Sequence, residues 1–152
     1  MDIGDKAPDF ELSDETGTTR RLSEFLALGP VVLYFYPMAL TPGCTAESCH
    51  FRDLSAEFGA FGAQRVGVSA DKVDKQKRFA DKHQFDFPLL SDTDKSVAKA
   101  YGVRRGPGPI PNKRSTFVIG TDGLIKGVVR SETNMTVHAD RALATLRTLS
   151  PT

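Results

Sequence analysis

The chain has 152 residues, 39% of them hydrophobic, which fits one domain with a core large enough to be stable by itself. Its 20 basic and 19 acidic residues give a formal net charge of +1, so no global field favours nucleic acid or an anionic membrane, and neither is expected as a partner. The longest apolar run is far too short to span a bilayer, and Met1-Asp2-Ile3-Gly4-Asp5 lacks a basic stretch followed by an apolar one, so a cytoplasmic location is expected.

Phe10-Glu11-Leu12 alternates like a short strand before the turn residues Asp14-Glu15-Thr16-Gly17, and Thr18-Thr19-Arg20-Arg21 follows; together they predict an N-terminal β-hairpin. Ser23 is placed to cap a short helix running to Leu28 and ended by Gly29-Pro30. Val31-Val32-Leu33-Tyr34-Phe35-Tyr36 is β-branched and aromatic enough for a strand buried on both faces, and Pro37 ends it. After Met38-Ala39-Leu40, Thr41-Pro42-Gly43-Cys44 has the form of a helix start, with Thr as N-cap, Pro at the first helical position and Cys at the third. Phe51, Leu54, Phe58 and Phe61 continue an apolar stripe, predicting one helix that runs to Phe61.

Gln64 to Ser69 reads as a second strand, and Asp71 or Asp74 caps a helix to about His83. Phe87 to Leu90 is a third strand, and Asp92 or Asp94 opens a helix to about Tyr101 that Gly102 stops. Val103 to Lys113 is dense in Pro and Gly and reads as a loop within the domain. Ser115 to Gly120 and Leu124 to Arg130 flank Thr121-Asp122-Gly123 and should form an antiparallel hairpin. A final helix from Val137 to Leu149 puts Val137, Leu143, Leu146 and Leu149 largely on one side. This alternation predicts a single α/β domain over residues 1–152, a mixed sheet with helices on both faces.

Two cysteines are too few for a secreted disulfide scaffold, and in a reducing compartment a close pair is more often catalytic or metal-binding. Cys44 stands where a capping box would place Glu or Gln, close to the unsatisfied N–H groups and the positive end of the helix. Such a place favours the thiolate; cysteines at helix N-termini have pKa values lowered to roughly 3.5–7.5. Cys44 is therefore a candidate nucleophile, and its position on the apolar stripe turns it toward the protein body. Cys49 lies five residues on, about 140° around the helix, and in an intact helix the two Cα atoms are about 8–9 Å apart, beyond the ~7 Å limit for a disulfide. A disulfide between them requires the helix to unwind. A zinc site built on Cys44, Cys49 and His50 lacks a second Cys or His pair at the usual spacing.

The pattern Pro37-x-x-x-Thr41-x-x-Cys44 resembles the active-site signature of the peroxiredoxins, thiol peroxidases of the thioredoxin-like fold. A second cysteine five residues later, in GCTAESCHFRD, is similar to the bacterioferritin comigratory protein, or Q-type, branch. Lys113-Arg114-Ser115-Thr116-Phe117-Val118-Ile119, Gly4-Asp5-Lys6-Ala7-Pro8-Asp9-Phe10 and Asp86-Phe87-Pro88-Leu89-Leu90-Ser91-Asp92 also resemble family segments, so the likeness covers nearly the whole chain. Met38-Ala39-Leu40 departs from it, standing where the branch usually carries charged or polar residues. That apolar loop predicts a preference for organic over hydrogen peroxide.

The resemblance implies that Cys44 attacks the peroxide and becomes a sulfenic acid, that Cys49 resolves it as an intramolecular disulfide, and that a thioredoxin-like dithiol restores the thiols. It further implies that the Thr41 hydroxyl hydrogen-bonds thiolate and peroxide, that Pro37 shields the sulfur from water, and that Arg114 reaches the sulfur. Backbone N–H groups from Gly43 onward would bind the substrate. On residue type alone Thr41 is an N-cap, Pro37 a strand terminator and Arg114 a surface charge. Glu47 reads as a first-turn carboxylate that complements the helix dipole, with a hydrogen bond to Arg114 as the alternative. His50, His83 and His138 read as solvated helix residues without a role. No metal, flavin or nucleotide cofactor is expected, the branch is often monomeric, and the competing reading is a redox sensor or holdase using the same thiols. A thioredoxin-like reductase is disfavoured because the cysteines are spaced C-x4-C.

Overall fold

The computed structural model describes residues 1–105 and 111–149; residues 106–110 of the predicted Val103–Lys113 loop lie outside them. Among the described residues seven strands form one sheet, in the order β2-β1-β5-β4-β3-β6-β7. They are β1 (Glu11–Ser13), β2 (Thr19–Arg21), β3 (Val31–Phe35), β4 (Gln64–Ser69), β5 (Leu89–Ser91), β6 (Ser115–Ile119) and β7 (Ile125–Arg130). β3, β4 and β5 run parallel, whereas the β1–β2 hairpin joins β5 antiparallel and the β6–β7 hairpin joins β3 antiparallel. The mixed sheet and the N-terminal hairpin are as the sequence predicts.

β3 explains why the sheet needs cover on both sides, because alternate residues of a strand face opposite ways. Val31, Leu33 and Phe35 enter one apolar cluster with Leu22 and Phe25 of α1 (Leu22–Leu26) and Val97 and Ala98 of α5 (Ser96–Ala100). Val32, Tyr34 and Tyr36 enter the other. That second cluster is closed by α2 (Pro42–Asp53), α3 (Ser55–Gly59), α4 (Val73–His83) and α6 (Val137–Leu149). Gly67 of β4 lies beside Tyr34, and a Cβ there would come within 2.9 Å of the Tyr34 ring and hydroxyl and of Leu89. Glycine thus lets the Tyr34 ring stack on Phe51 at 4.4 Å and donate its hydroxyl to Ser48 Oγ at 2.9 Å.

Several element ends differ from expectation. The helix predicted to run to Phe61 is two, α2 and α3, broken at Leu54 (φ −97°, ψ 23°). Arg65 supplies the reason: its Nη1 donates to the Phe51 carbonyl at 2.9 Å, an acceptor that a continuous helix would commit to the Ser55 N–H. The Ser55 hydroxyl and Asp86 complete that clasp, with Asp86 2.7 Å from both Ser55 Oγ and Arg65 Nη2. α1 begins at Leu22, with the Ser23 N–H bonded to Asp9, so Ser23 does not cap it. Neither Asp71 nor Asp74 caps α4, whose N-cap is Lys72. β5 starts at Leu89 rather than Phe87. Asp92 anchors α5 from a distance, accepting the N–H groups of Val97 and Ala98. On α6 the buried residues are His138, Ala139, Ala142, Leu143 and Leu146; Leu149 is exposed. No helix among the described residues is long and apolar enough to cross a membrane.

Candidate active site

The site forms where β3 ends. The Tyr36 N–H bonds to Val68 O at 3.0 Å, extending the sheet by one residue before the chain turns at Pro37. Asp71 then gathers the loop: its Oδ2 accepts the Ala39 N–H at 2.7 Å and the Ser69 hydroxyl at 2.6 Å, while Lys75 pairs with Oδ1 at 3.0 Å. Leu40 follows in the left-handed region (φ 67°), a conformation costing a leucine about 1–2 kcal/mol. That twist delivers Thr41, in extended backbone, to the start of α2. The Thr41 hydroxyl does not cap the helix as its residue type suggests; it donates to Met38 O at 2.7 Å. The bond consumes its one proton and leaves its oxygen lone pairs available as acceptors.

Pro42 occupies the first position of α2 and Cys44 the third. Cys44 is 1% exposed and packs with Tyr34, Tyr36 and Phe51, so it turns inward as its place on the stripe predicts. Arg114, the residue before β6, is 6% exposed and points the same way. Its Nη2 lies 3.5 Å from Cys44 Sγ and its Nη1 donates to Glu47 Oε1 at 2.7 Å. One guanidinium therefore bridges a sulfur and a carboxylate, a use for which its planar fork is suited and a lysine is not. Burial works against the Arg114 charge, but Glu47 and Cys44 outweigh it, and its pKa is raised. Its backbone N–H is held by Glu132 Oε1 at 3.1 Å, and Glu132 pairs with Arg105 at 2.8 Å.

Glu47 is not a first-turn carboxylate. It stands at the sixth helical position, fully buried, and holds Arg114. Burial pushes its carboxyl up to about 7 against the opposing pull of Arg114. His138 is also misread as a solvated residue: it has no exposed surface. Its Nε2 lies 2.8 Å from Ser131 O and its Nδ1 2.8 Å from the hydroxyl of buried Thr116 on β6. The same Nδ1 is 3.7 Å from Glu47 Oε2. Its spacing from Ala142 and Leu146 along α6 places it on the apolar face, the signal in the sequence that marks it out.

Cys49 lies within the same intact helix, partly exposed; burial, with Asp53, pushes its thiol up against the pull of Arg52. It faces away from Cys44 and is unbonded to it. His50 pairs with Asp140 of α6 at 2.8 Å, and no group of three or more His, Cys, Asp or Glu among the described residues is arranged to hold a metal. Pro37 is partly exposed at the loop's start and Met38 is 41% exposed. Gly43 leaves room at the helix start: a Cβ there would meet Arg114 Nη2 and Met135 Sδ, each at 3.4 Å. Met135 carries no signal in the sequence that marks it out, and its thioether lies against the first turn of α2 at Gly43.

A thiol at the third position of a helix, beside an arginine fixed by a buried carboxylate on a thioredoxin-like sheet, defines the thiol peroxidase class. The match of residues 3–128 to the AhpC/TSA family model places the chain in that family, the peroxiredoxins. Among similar proteins, Bacillus subtilis peroxiredoxin Bcp is 38% identical, over 99% of this chain and 98% of its own. The crystal structure of peroxidoxin BcpB from Mycobacterium tuberculosis is 56% identical, covers 99% of both chains and superposes with a TM-score of 0.96. A structure of the Xanthomonas campestris bacterioferritin comigratory protein, described for its alkyl peroxide reduction activity, is 35% identical with a TM-score of 0.82, covering 92% of this chain and 91% of that one. The likeness is thus to the Bcp, or Q-type, branch, and this chain is a peroxidase that acts on peroxides through a thiol.

Proposed function

We propose that Cys44 is the peroxidatic thiol and Cys49 its resolving partner within one chain, recycled in the cytoplasm by a thioredoxin-like dithiol. The observation that carries this reading is Arg114 Nη2, 3.5 Å from a buried Cys44 sulfur at the start of the helix that also holds Cys49. The Cys44 thiolate attacks one peroxide oxygen, the O–O bond breaks, and with one proton the other oxygen leaves as water or alcohol. Cys44 becomes a sulfenic acid. Negative charge moves onto the departing oxygen, so catalysis needs donors placed for that transition state. Arg114 and the N–H groups of Gly43 and Cys44 supply them, and the Thr41 oxygen, its proton committed to Met38, accepts the peroxide's own O–H. Pro37 limits water at the sulfur.

The first turns of α2 then unwind, the Cys49 thiol condenses with the sulfenic acid, and water leaves as the disulfide forms. A dithiol reduces the disulfide by exchange and is itself oxidised. The cycle uses no cofactor and runs within a monomer. Intact-protein mass spectrometry after one equivalent of peroxide, with remaining thiols alkylated, tests it. The expected product is a monomer that has lost two hydrogens and takes up no alkyl group. A disulfide-linked dimer, or a Cys44 sulfinate with Cys49 still alkylatable, would remove Cys49 from the resolving role.

A further inference from the structure

A cavity of about 280 Å³ lies at the carboxyl ends of the parallel strands, where open α/β sheets take their ligands. Pro37 and Met38 border it after β3, Asp71 after β4, Lys95 after β5 and Asn112 before β6. Ligand pockets run from about 300 to 1,000 Å³, so this one suits a small group. Asn112 is 1% exposed, yet neither its amide nitrogen nor its amide oxygen has a hydrogen-bond partner among the described residues. Leaving both halves of a buried amide unmet is costly, and buried amides are ordinarily paired. Gln76 on α4 shows the ordinary case: its Nε2 donates to Ser69 Oγ and Leu90 O, and its Oε1 accepts from the Tyr36 hydroxyl.

Met38 joins this cavity to the reaction. It borders the cavity, and its carbonyl accepts the hydroxyl of Thr41, the residue whose oxygen is assigned to the peroxide, at 2.7 Å. The shared wall is fixed, because the next residue, Ala39, donates its N–H to Asp71 at 2.7 Å. A partner for Asn112 must accept from Nδ2 and donate to Oδ1 together. A carboxamide does both, edge to edge, whereas one hydroxyl oxygen cannot lie in line with both atoms and an alkyl group meets neither. Asp71 and Lys95 carry opposite charges, so the wall does not select an ion, and Pro37, Met38 and Pro111 offer apolar surface to a carbon chain.

We propose that this cavity is a subsite of the peroxidatic centre that takes a neutral carboxamide borne by an organic hydroperoxide, with Asn112 determining that specificity. The hydroperoxide end lies at Thr41 and Cys44, where the O–O bond breaks as described above and the amide-bearing alcohol leaves.

This inference rests on the roles given to Cys44 and Thr41. Peroxide consumption that persists in Cys44→Ser would refute those roles, whatever happens at Asn112. The test is the rate of Cys44 oxidation, in a Cys49→Ser background, by tertiary hydroperoxides that carry a carboxamide on arms of increasing length. Each is paired with the isostere in which isopropyl replaces the carboxamide. At the best arm length the amide should outrun its isostere by roughly tenfold. Asn112→Leu, similar in volume but without the amide, should remove that advantage. An amide advantage that is absent at every arm length, or that survives Asn112→Leu, overturns the inference.

Should Asn112→Leu not fold, NMR of the reduced wild-type protein with nitrogen-labelled asparagine side chains decides, using isovaleramide as the probe. Asn134 is the only other asparagine in the chain and serves as the reference. The expected result is a saturable shift of the Asn112 amide signals that tert-butyl alcohol does not produce. No shift, or the same shift with both compounds, marks a merely water-filled cavity and contradicts the subsite.

Discussion

Ser48→Ala tests the unwinding step at the place where α2 is tied down. Ser48 is fully buried and accepts the Tyr34 hydroxyl at 2.9 Å, one turn beyond Cys44 on the segment that the proposed resolution step opens. Deleting that acceptor leaves a phenol unpartnered in the core, a cost of about 1–3 kcal/mol to the closed form. Alanine's better helix propensity returns up to about 0.5 kcal/mol. Opening admits water to the phenol and relieves the penalty, so the opening equilibrium should shift by about 2- to 70-fold. The assay is rapid quench after one equivalent of peroxide, with sulfenic acid trapped by dimedone and disulfide read as lost alkylation. Disulfide formation should accelerate toward that range while sulfenic acid forms at the parent rate. A disulfide rate equal to or below the parent's would refute the idea that opening of α2 limits resolution.

Arg114→Lys should slow Cys44 oxidation by about a hundredfold, since a lysine cannot hold Glu47 and the sulfur together; stopped-flow competition against a reference peroxidase measures it. Glu47 gives stability its own pH dependence. Its folded pKa of about 7 lies above its ordinary 4.5, so the folded state binds the extra proton and stability falls as pH rises from about 4.5 through about 7. The full cost is about 3 kcal/mol above that window. Thermal melts should therefore show Glu47→Gln gaining on the parent as pH is raised from about 5 to about 8, and parallel curves would contradict this. Replacing Met38 and Leu40 by serine should lower the rate with an alkyl hydroperoxide relative to hydrogen peroxide by severalfold; an unchanged ratio would leave the apolar loop without a role in selectivity. Gly43→Ala should slow disulfide formation by about two- to fivefold more than sulfenic acid formation, because alanine disfavours the unwound turn.

The sheet was legible because its signals are local. Six apolar residues bounded by Pro37 define β3, and Thr121-Asp122-Gly123 defines the β6–β7 hairpin. The inward turn of Cys44 was legible from the stripe it shares with Phe51. What stayed hidden depends on partners far along the chain. The break at Leu54 comes from Arg65, whose guanidinium takes a helix carbonyl from another strand. Thr41 reads as a cap until Met38 O is found beneath it. Glu47 and His138 look like surface charges in a helix alphabet, and only the convergence of α2, β6 and α6 makes them neighbours. Asp71, read as a cap for α4, instead ties the loop before Thr41, across 32 residues of sequence.

The interruption at Leu54 acts as a firebreak for the helix that carries both thiols. A long unbroken helix, once frayed at its first turn, shares the loss along its length. Here the Phe51 carbonyl near the end of α2 is fastened to Arg65, and Arg52 Nη1 grips His83 O at 2.8 Å, so the far end stays clamped to β4 and α4. If Cys49 resolves Cys44 as proposed, the turn between them comes apart while Phe58 and the floor of the sheet keep their places. Damage would then be confined to the few residues of that turn, and the clamped end would serve as a ready template on which the helix re-forms.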